Sequence, residues 1–425
     1  MSSLDIIRNK SQGVINLFKG HPFKDLLPND MISRAVDKVL HSTRYGSVMQ
    51  YGLDEGDPDL RCSVAKWLAA FYKDTTTKDN IVISGGASQN LACILQRFTD
   101  PIFTRKVFMV APTYFLACKI FEDSGFQGRL KGVPENDEGL DLTFLEKCIQ
   151  EEEQHAKKGS APNEHPYKFD GYKLYRYIIY VVPSFGNPSA RVMSLVCREQ
   201  LVKLARKYDA LVIADDVYDM LNWTNAEPLP RLVTIDRNMK GQSAFGNTVS
   251  NGSFSKILCP GIRTGWAEGT PDFVFSLSQT GSTKSGGCAS QLLAGCIEPI
   301  VSSGDLTKWI QGVLVPALSA RQNAMEQAII KYLVPLNIKY SSNKGGYFAW
   351  LEFPEFVNTD DFHKTLLTKY DVVIAPGSAF HVTKDTSFTA TNCARLSFSW
   401  ETPDNITKGI RLISDAFKTE YGQRN

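Results

Sequence analysis

The sequence has little that would build a metal centre or a disulfide framework. Its nine cysteines are scattered over 425 residues, with no C-x-x-C pair and no histidine partners at zinc spacing, so no metal site is expected. An odd number without a framework fits reduced thiols in a cytoplasmic setting. No apolar run approaches the roughly 18 residues of a membrane helix. "MSSLDIIRNKSQG" lacks the apolar stretch of a secretory signal, and "YGQRN" matches no retention or peroxisomal address. Clustered basic runs are missing too: at a net charge of +2, nothing favours a nucleic-acid or membrane partner. "GSTKSGG" around Lys284 has no glycine directly before its lysine, so it is not a P-loop. No G-x-G-x-x-G follows a strand and there is no H-E-x-x-H. Internal repeats and low-complexity segments are absent.

What is present reads as an ordinary folded chain, 43% hydrophobic and 22% charged. Its length exceeds one simple core and implies a large and a smaller domain. "NIVISGGASQNLACILQRF" is a β-branched run, a Gly-Gly turn and a helical pattern. "KVFMVAPTYFLACKIFEDSG" repeats that plan, with Pro112 at the break. "YRYIIYVVPSFGNPSA" is an apolar strand ended by Pro183. "EQLVKLARKYDALVIADDVYDML" is a helix, a turn and a strand with acids at its end. Apolar strands alternating with helices predict an α/β fold with a mostly parallel sheet covered on both faces. Glu151 to Lys173 is polar, with glycine, proline and mixed charge, and is expected to be an inserted surface loop. A long helical pattern follows Pro316 and leads into "GGYFAWLEFP", "DVVIAPGSAF" and "ARLSFSW", strands of a smaller α+β domain. The expected division is 51–309 for the large domain, with 1–50 and 310–425 forming the small one.

In such sheets ligands sit beyond the C-terminal ends of the strands, so the residues there matter most. They are, in order, Gly85-Gly86-Ala87-Ser88-Gln89, Pro112-Thr113-Tyr114, Asn187-Pro188, Asp215-Asp216 with Tyr218, and "NGSFSKILCPGIRTGW" carrying Lys256 and Arg263. Singly, each has an ordinary explanation as a turn, a rim aromatic or a helix cap. Together they supply amide donors at a helix start for a phosphate, an aromatic face for a planar ring, buried acids, and a lysine among small hydroxyl residues.

These stretches resemble the class I/II, fold-type I pyridoxal-phosphate aminotransferases. The closest subgroup is that of the 2-aminoadipate and kynurenine aminotransferases, with the aminotransferase-like domains of some bacterial regulators. "SFSKILCPGIRTGW" matches the family's S-x-S-K-x-x-x-P-G-x-R-x-G-W. "YGLDEGDPDLR", "PSFGNPSA", "IADDVYDML", "ARLSFSW" and "GHPFKDLLP" match further patterns in order, from about Ile15 to about Trp400. The resemblance implies pyridoxal 5′-phosphate as cofactor, joined to Lys256 as a Schiff base. A neutral lysine amine is a nucleophile and a proton carrier, whereas arginine stays charged. Asp215, three residues before Tyr218, is implied against the pyridine nitrogen. Tyr218 and Asn187 are implied as donors to the ring oxygen, and Tyr114 as the stacking aromatic. Ala87, Ser88, Gln89, Ser253, Ser255 and Arg263 would hold the phosphate. Tyr51 would reach the phosphate of the neighbouring subunit in a homodimer with shared active sites. Arg395 would grip the substrate α-carboxylate as a planar fork, Asn187 would assist, and Gly20 would let backbone approach the substrate.

The implied activity is transfer of an amino group from an aromatic or 2-aminoadipate-like L-amino acid to a 2-oxo acid such as 2-oxoglutarate. A β-lyase cleaving C–S bonds would use the same lysine and aspartate. A non-catalytic scaffold is the other alternative. A ligand sensor with a winged-helix DNA-binding domain is not expected, because the stretch before Ile15 is too short for one. Two departures from the family stand out. Leu26-Leu27 replaces a common Leu-Phe. Gly186 stands where larger polar residues are frequent, a change expected to alter the space over the cofactor.

Overall fold

The computed structural model describes residues 13–158, 173–224 and 226–422. Its strands in chain order are β1 (Ile15–Asn16), β2 (Ile81–Ser84), β3 (Lys106–Ala111), β4 (Leu130–Pro134), β5 (Tyr177–Val181), β6 (Ala210–Asp215), β7 (Thr248–Ser253), β8 (Gly265–Glu268), β9 (Lys339–Tyr340), β10 (Phe348–Glu352), β11 (Val372–Val373), β12 (Ala375–Pro376) and β13 (Cys393–Ser397). β2 to β8 form one seven-stranded sheet in the order β2-β8-β7-β6-β5-β3-β4. Its central strands run parallel, and only β8 is reversed, antiparallel to both β2 and β7. β12, β13, β10 and β9 make a four-stranded sheet, and β1 pairs with β11 from the opposite end of the chain.

Helices cover both faces of the large sheet, which is why its strands read as continuous apolar runs. On one face Val107, Met109, Ile178, Tyr180, Leu211 and Ile213 pack against the Ala87–Phe98 and Pro271–Ser278 helices. On the other Phe108, Val110, Tyr177, Ile179, Val181 and Val212 pack against the Leu142–Lys158 and Leu195–Lys207 helices. The alternation along β5 is the period of two expected of a strand. Helix starts are set locally. Ser194 and Thr270 accept from the amides of Cys197 and Phe273, and Pro271 occupies the first turn of its helix. The last layer joins the Val315–Tyr332 and Pro403–Tyr421 helices under the smaller sheet. No helix of the described residues is long and apolar enough to cross a membrane.

One expectation is corrected. The Glu151–Lys173 segment does not begin as a loop: Glu151 to Lys158 continue the Leu142–Lys158 helix. Its acids dock on the start of the sheet. Glu152 pairs with Lys106 at 2.6 Å, and Glu153 pairs with Arg105 at 3.1 Å and accepts from the Tyr177 hydroxyl at 2.6 Å. Partners distant in sequence hold this polar run helical, and no local pattern announces them. Residues 159–172 lie outside the described residues.

A buried ionic cluster lies beneath the sheet edge. Glu268 of β8 is fully buried and pairs with Arg231 at 2.6 Å and with Arg237. Arg231 in turn meets Asp74 at 3.1 Å. Groups so far from water remain charged only through such pairing.

Candidate active site

A cavity of about 370 Å³ opens at the C-terminal ends of β5, β6 and β7. It is lined from both sheets and from the N-terminal stretch Phe18–His21. Most residues singled out in the sequence meet there: Gly20, Ala87, Ser88, Tyr114, Asn187, Asp215, Tyr218, Ser253, Ser255, Lys256, Arg263 and Arg395. Two do not. Gln89 turns away: its Oε1 accepts from the Gly85 amide at 3.0 Å and its Nε2 donates to Cys93 Sγ at 2.9 Å. Its side chain therefore closes the Gly-Gly turn, and only its backbone sits at the helix start. Tyr51 is 86% exposed and lies outside this chain's own cavity. Gly186 also stays out of the cavity, and a Cβ there would meet the Val182 carbonyl at 3.4 Å.

Lys256 follows the end of β7, and its amine donates to the Gly20 carbonyl at 2.8 Å. Burial, and then the nearby Arg395 guanidinium, bring its pKa down to about 8, against the pull of Asp215. Desolvation disfavours the charged form of an amine, so a substantial neutral fraction exists near neutral pH. Asp215 ends β6. Burial raises its pKa to about 6, opposed by a hydrogen bond from the Tyr180 hydroxyl at 2.7 Å and by Lys256. Its other oxygen, Oδ1, is buried without a partner. Asp216, the other acid of the pair, points elsewhere and accepts from the Ser250 hydroxyl.

Arg395 of β13 is 3% exposed. It donates to Asn187 Oδ1 at 2.8 Å and to the Phe18 carbonyl. Its guanidinium lies 4.1 Å from the centroid of the Phe348 ring and 4.9 Å from that of Phe380. Burial lowers its pKa to about 10. Its Nε has no partner, and no carboxylate of the described residues pairs with it.

A third group of polar atoms faces the start of the Ala87–Phe98 helix. Ser253 donates to Ser255 Oγ at 3.0 Å, and Arg263 approaches Ser255 Oγ at 3.5 Å and the Gly85 carbonyl at 3.3 Å. Gly86 has a φ of 95°, and a Cβ on it would stand 3.0 Å from the Arg263 guanidinium. Glycine is therefore needed for both the turn and the close approach. Asn251 locks this corner, donating to the Ala87 carbonyl at 3.0 Å and accepting from Asn90 at 2.8 Å.

Sequence reasoning missed Tyr180, Asn251, Phe348 and Lys19. A buried asparagine inside the strand run "TVSNGS" was the one available signal, because such an amide must be satisfied.

The arrangement holds one amine of lowered pKa, one orphaned buried carboxylate and one cation-and-hydroxyl corner at a helix start. A model of the family described as aminotransferase class I and II matches residues 13–413. The chain belongs to this family. It is a pyridoxal-phosphate-dependent aminotransferase of fold-type I. It is 35% identical to the uncharacterized protein YER152C of Saccharomyces cerevisiae, across 95% of this chain and 97% of that one. It is 27% identical to aromatic-amino-acid aminotransferase 1 of Thermococcus litoralis, across 97% and 89%. The structure of Pyrococcus horikoshii kynurenine aminotransferase, in complex with PMP, KYN as substrates and KYA as products, superposes with a TM-score of 0.82. That match has 26% identity and covers 98% of this chain and 93% of that one. The aminotransferase site fits its cofactor on this structure's own terms. The unpartnered Asp215 Oδ1 suits a protonated ring nitrogen, and the Ser253–Ser255–Arg263 corner suits a phosphate.

Proposed function

We propose that this aminotransferase moves the amino group of an aromatic or 2-aminoadipate-like L-amino acid to a 2-oxo acid such as 2-oxoglutarate. The observation that carries the reading is Arg395, a buried cation with an unpartnered Nε and no carboxylate partner among the described residues. Such a group is costly to bury unless an anion joins it, and its planar fork suits an α-carboxylate. The relatives' names supply the donor classes.

When bound, pyridoxal phosphate supplies an aldehyde that takes an amine and a ring that accepts electrons from the substrate Cα. The protein's residues do the rest. Asp215, through its unpartnered oxygen, would hold the proton on the ring nitrogen. Tyr218 and Asn187 would donate to the ring oxygen, and Tyr114 would cover one face. The amides of Ala87, Ser88 and Gln89, with Ser253, Ser255 and Arg263, hold the phosphate. Arg395 and Asn187 orient the α-carboxylate beside Lys256. The Lys256 amine would move the proton at the substrate Cα, a role its lowered pKa supports. Gly20 keeps its carbonyl on that amine, and a Cβ there would lie 2.7 Å from the Phe348 ring.

The working unit is proposed to be a homodimer in which Tyr51 of one copy reaches the phosphate corner of the other. The exposure of Tyr45, Met49, Tyr51, Leu53 and Leu292 supports this. Nine unpaired cysteines support a reducing, cytoplasmic location. The two-part division at 50/51 and 309/310 is likewise proposed, supported by the confinement of the two larger sheets to 81–268 and 339–397.

The test is a panel of amino donors with 2-oxoglutarate on cofactor-loaded protein. Turnover of aromatic or acidic donors is expected. Turnover of none refutes the proposal, and release of pyruvate and ammonia without an oxo acid would replace it with the β-lyase.

A further inference from the structure

The cavity is unbalanced in charge. Its lining includes four cations, Lys19, Lys256, Arg263 and Arg395, and one carboxylate, Asp215. On the reading above, Arg263 answers the phosphate, Arg395 answers the α-carboxylate and Lys256 meets the cofactor. Lys19 is left over. No carboxylate of the described residues lies within ion-pair distance of it. Its ammonium sits instead 4.0 Å from the centroid of the Trp400 ring. The His21 ring meets the same indole edge-on at 6.2 Å.

This corner is held firmly. The Lys19 amide donates to Asn16 Oδ1 at 3.0 Å, and its neighbours are pinned in turn. The Phe18 carbonyl accepts from Arg395, the Gly20 carbonyl accepts from Lys256 at 2.8 Å, and the His21 carbonyl accepts from Ser399 at 2.9 Å. The backbone that carries Lys19 is thus fixed to the two groups that handle the substrate's α-carbon and α-carboxylate. His21 lies close enough to Lys256 and Lys19 for both to disfavour its charged form, after burial. It therefore offers a neutral ring beside the Lys19 amine.

We propose that Lys19, held over Trp400 beside His21, receives the distal carboxylate of a dicarboxylic 2-amino or 2-oxo acid and so sets the enzyme's selectivity for acidic substrates. The proposal rests on the reading that Arg395 takes the α-carboxylate. Lys19, which lines the same cavity, then supplies the second anchor. Phe115, Leu116 and Ile120 line the cavity too and offer an uncharged side chain an apolar wall that does not involve Lys19.

The test compares two unreactive probes, glutarate with two carboxylates and butyrate with one, by calorimetry on the holoenzyme. Wild type is expected to bind glutarate about 10-fold or more tightly than butyrate, the range of one hydrogen-bonded charge. Lys19→Met keeps much of the apolar stem, and is expected to lose that preference while binding butyrate unchanged. Lys19→Arg retains most of it. In turnover, Lys19→Met raises the KM of glutamate and 2-oxoglutarate by about 10- to 100-fold and leaves phenylalanine as donor unaffected. If Lys19→Met changes only the glutamate arm, the distal carboxylate of the donor alone is read there; if both, the acceptor's as well. A wild type without a glutarate preference, or a variant that keeps it, overturns the proposal. So does an equal loss for glutamate and phenylalanine. Intact glutarate preference with no donor turned over would sink the proposed function and leave the Lys19 assignment standing.

Discussion

Replacing Asp215 with asparagine is expected to make the cofactor-free protein more stable while removing its activity. The carboxyl sits at the mouth of β6 with one oxygen held by Tyr180 and the other unpartnered. Burial, with a small contribution from Asp219, raises its pKa from 3.8 to about 6. The folded state therefore holds the proton more tightly than the unfolded chain. Below pH 3.8 both states are protonated and nothing is lost. As pH rises from 3.8 through about 6, the unfolded chain ionises first, and the native state loses stability until its own carboxyl ionises. At pH 7 the full difference corresponds to about 3 kcal/mol as a ceiling. Part of the side chain faces the open cavity, so solvent screening leaves about 1–2 kcal/mol. Asparagine accepts the same Tyr180 bond and carries no charge. Urea unfolding of the two cofactor-free proteins reads this directly. The variant's advantage is expected to open between pH 4 and 6 and to stay flat up to pH 7. A variant equal to or less stable than wild type at pH 7 would refute the account of a carboxylate buried at a cost. Adding pyridoxal phosphate is expected to reverse the order, because only the carboxylate pairs with a protonated ring nitrogen.

Three further outcomes follow from neighbouring residues. Competitive amine labelling of cofactor-free protein, read by mass spectrometry, is expected to place the Lys256 midpoint near its pKa of about 8, so that about one molecule in ten is neutral at pH 7; Arg395→Gln should move the midpoint up, and a midpoint near 10.5 in wild type would remove burial as the cause. Gly20→Ala drives a Cβ to within 2.8 Å of two Phe348 ring atoms. The displaced ring no longer lies under Arg395, and kcat/KM should fall about 10-fold or more, with about 1–3 kcal/mol lost in stability; wild-type kinetics would show that the ring has room to move. Glu268→Gln strips the Arg231 and Arg237 pair of its carboxylate and should cost about 3–5 kcal/mol in urea unfolding while leaving the cofactor spectrum of folded protein intact; an unchanged urea midpoint would mean that Asp74 alone suffices.

Most residues that line the cavity were legible because of where they stand. Strands of a doubly covered parallel sheet end at the ligand, so Asp215, Asn187, Tyr114 and Lys256 stood out at strand ends or just beyond them, while their roles were implied by the family resemblance. What escaped depends on register or on distant partners. Tyr180 lies inside an apolar run, and nothing in that run says that its hydroxyl serves Asp215. Only the parallel pairing of Tyr180 with Ile213, two residues before Asp215, brings the two together. The side chain of Gln89 closes the Gly-Gly turn while its amide stays at the helix start, a division of labour that no local pattern announces. Glu151 to Lys158 were taken for loop because their stabilising partners, Lys106, Arg105 and Tyr177, are far away in sequence. The reversed strand β8 was hidden as well, because "GWAE" is too short to announce its direction.

The N-terminal stretch gives the site its coherence. Arg395 comes from the C-terminal sheet and Lys256 from the large one, and no hydrogen bond between their side chains is among those described. Both instead donate to carbonyls two residues apart, Phe18 and Gly20. β1, just before them, is zipped to β11, and Ser397 of β13 donates to the Leu17 carbonyl. A short extended segment therefore relays position between the cation proposed to orient the substrate and the amine proposed to move its proton. Any shift of the smaller sheet relative to the larger one must strain or break one of these bonds. The proposed domain boundary thus divides the chain but not the site. A substitution that loosened Phe18–His21 would be felt as lost alignment at Lys256, with the cofactor still in place.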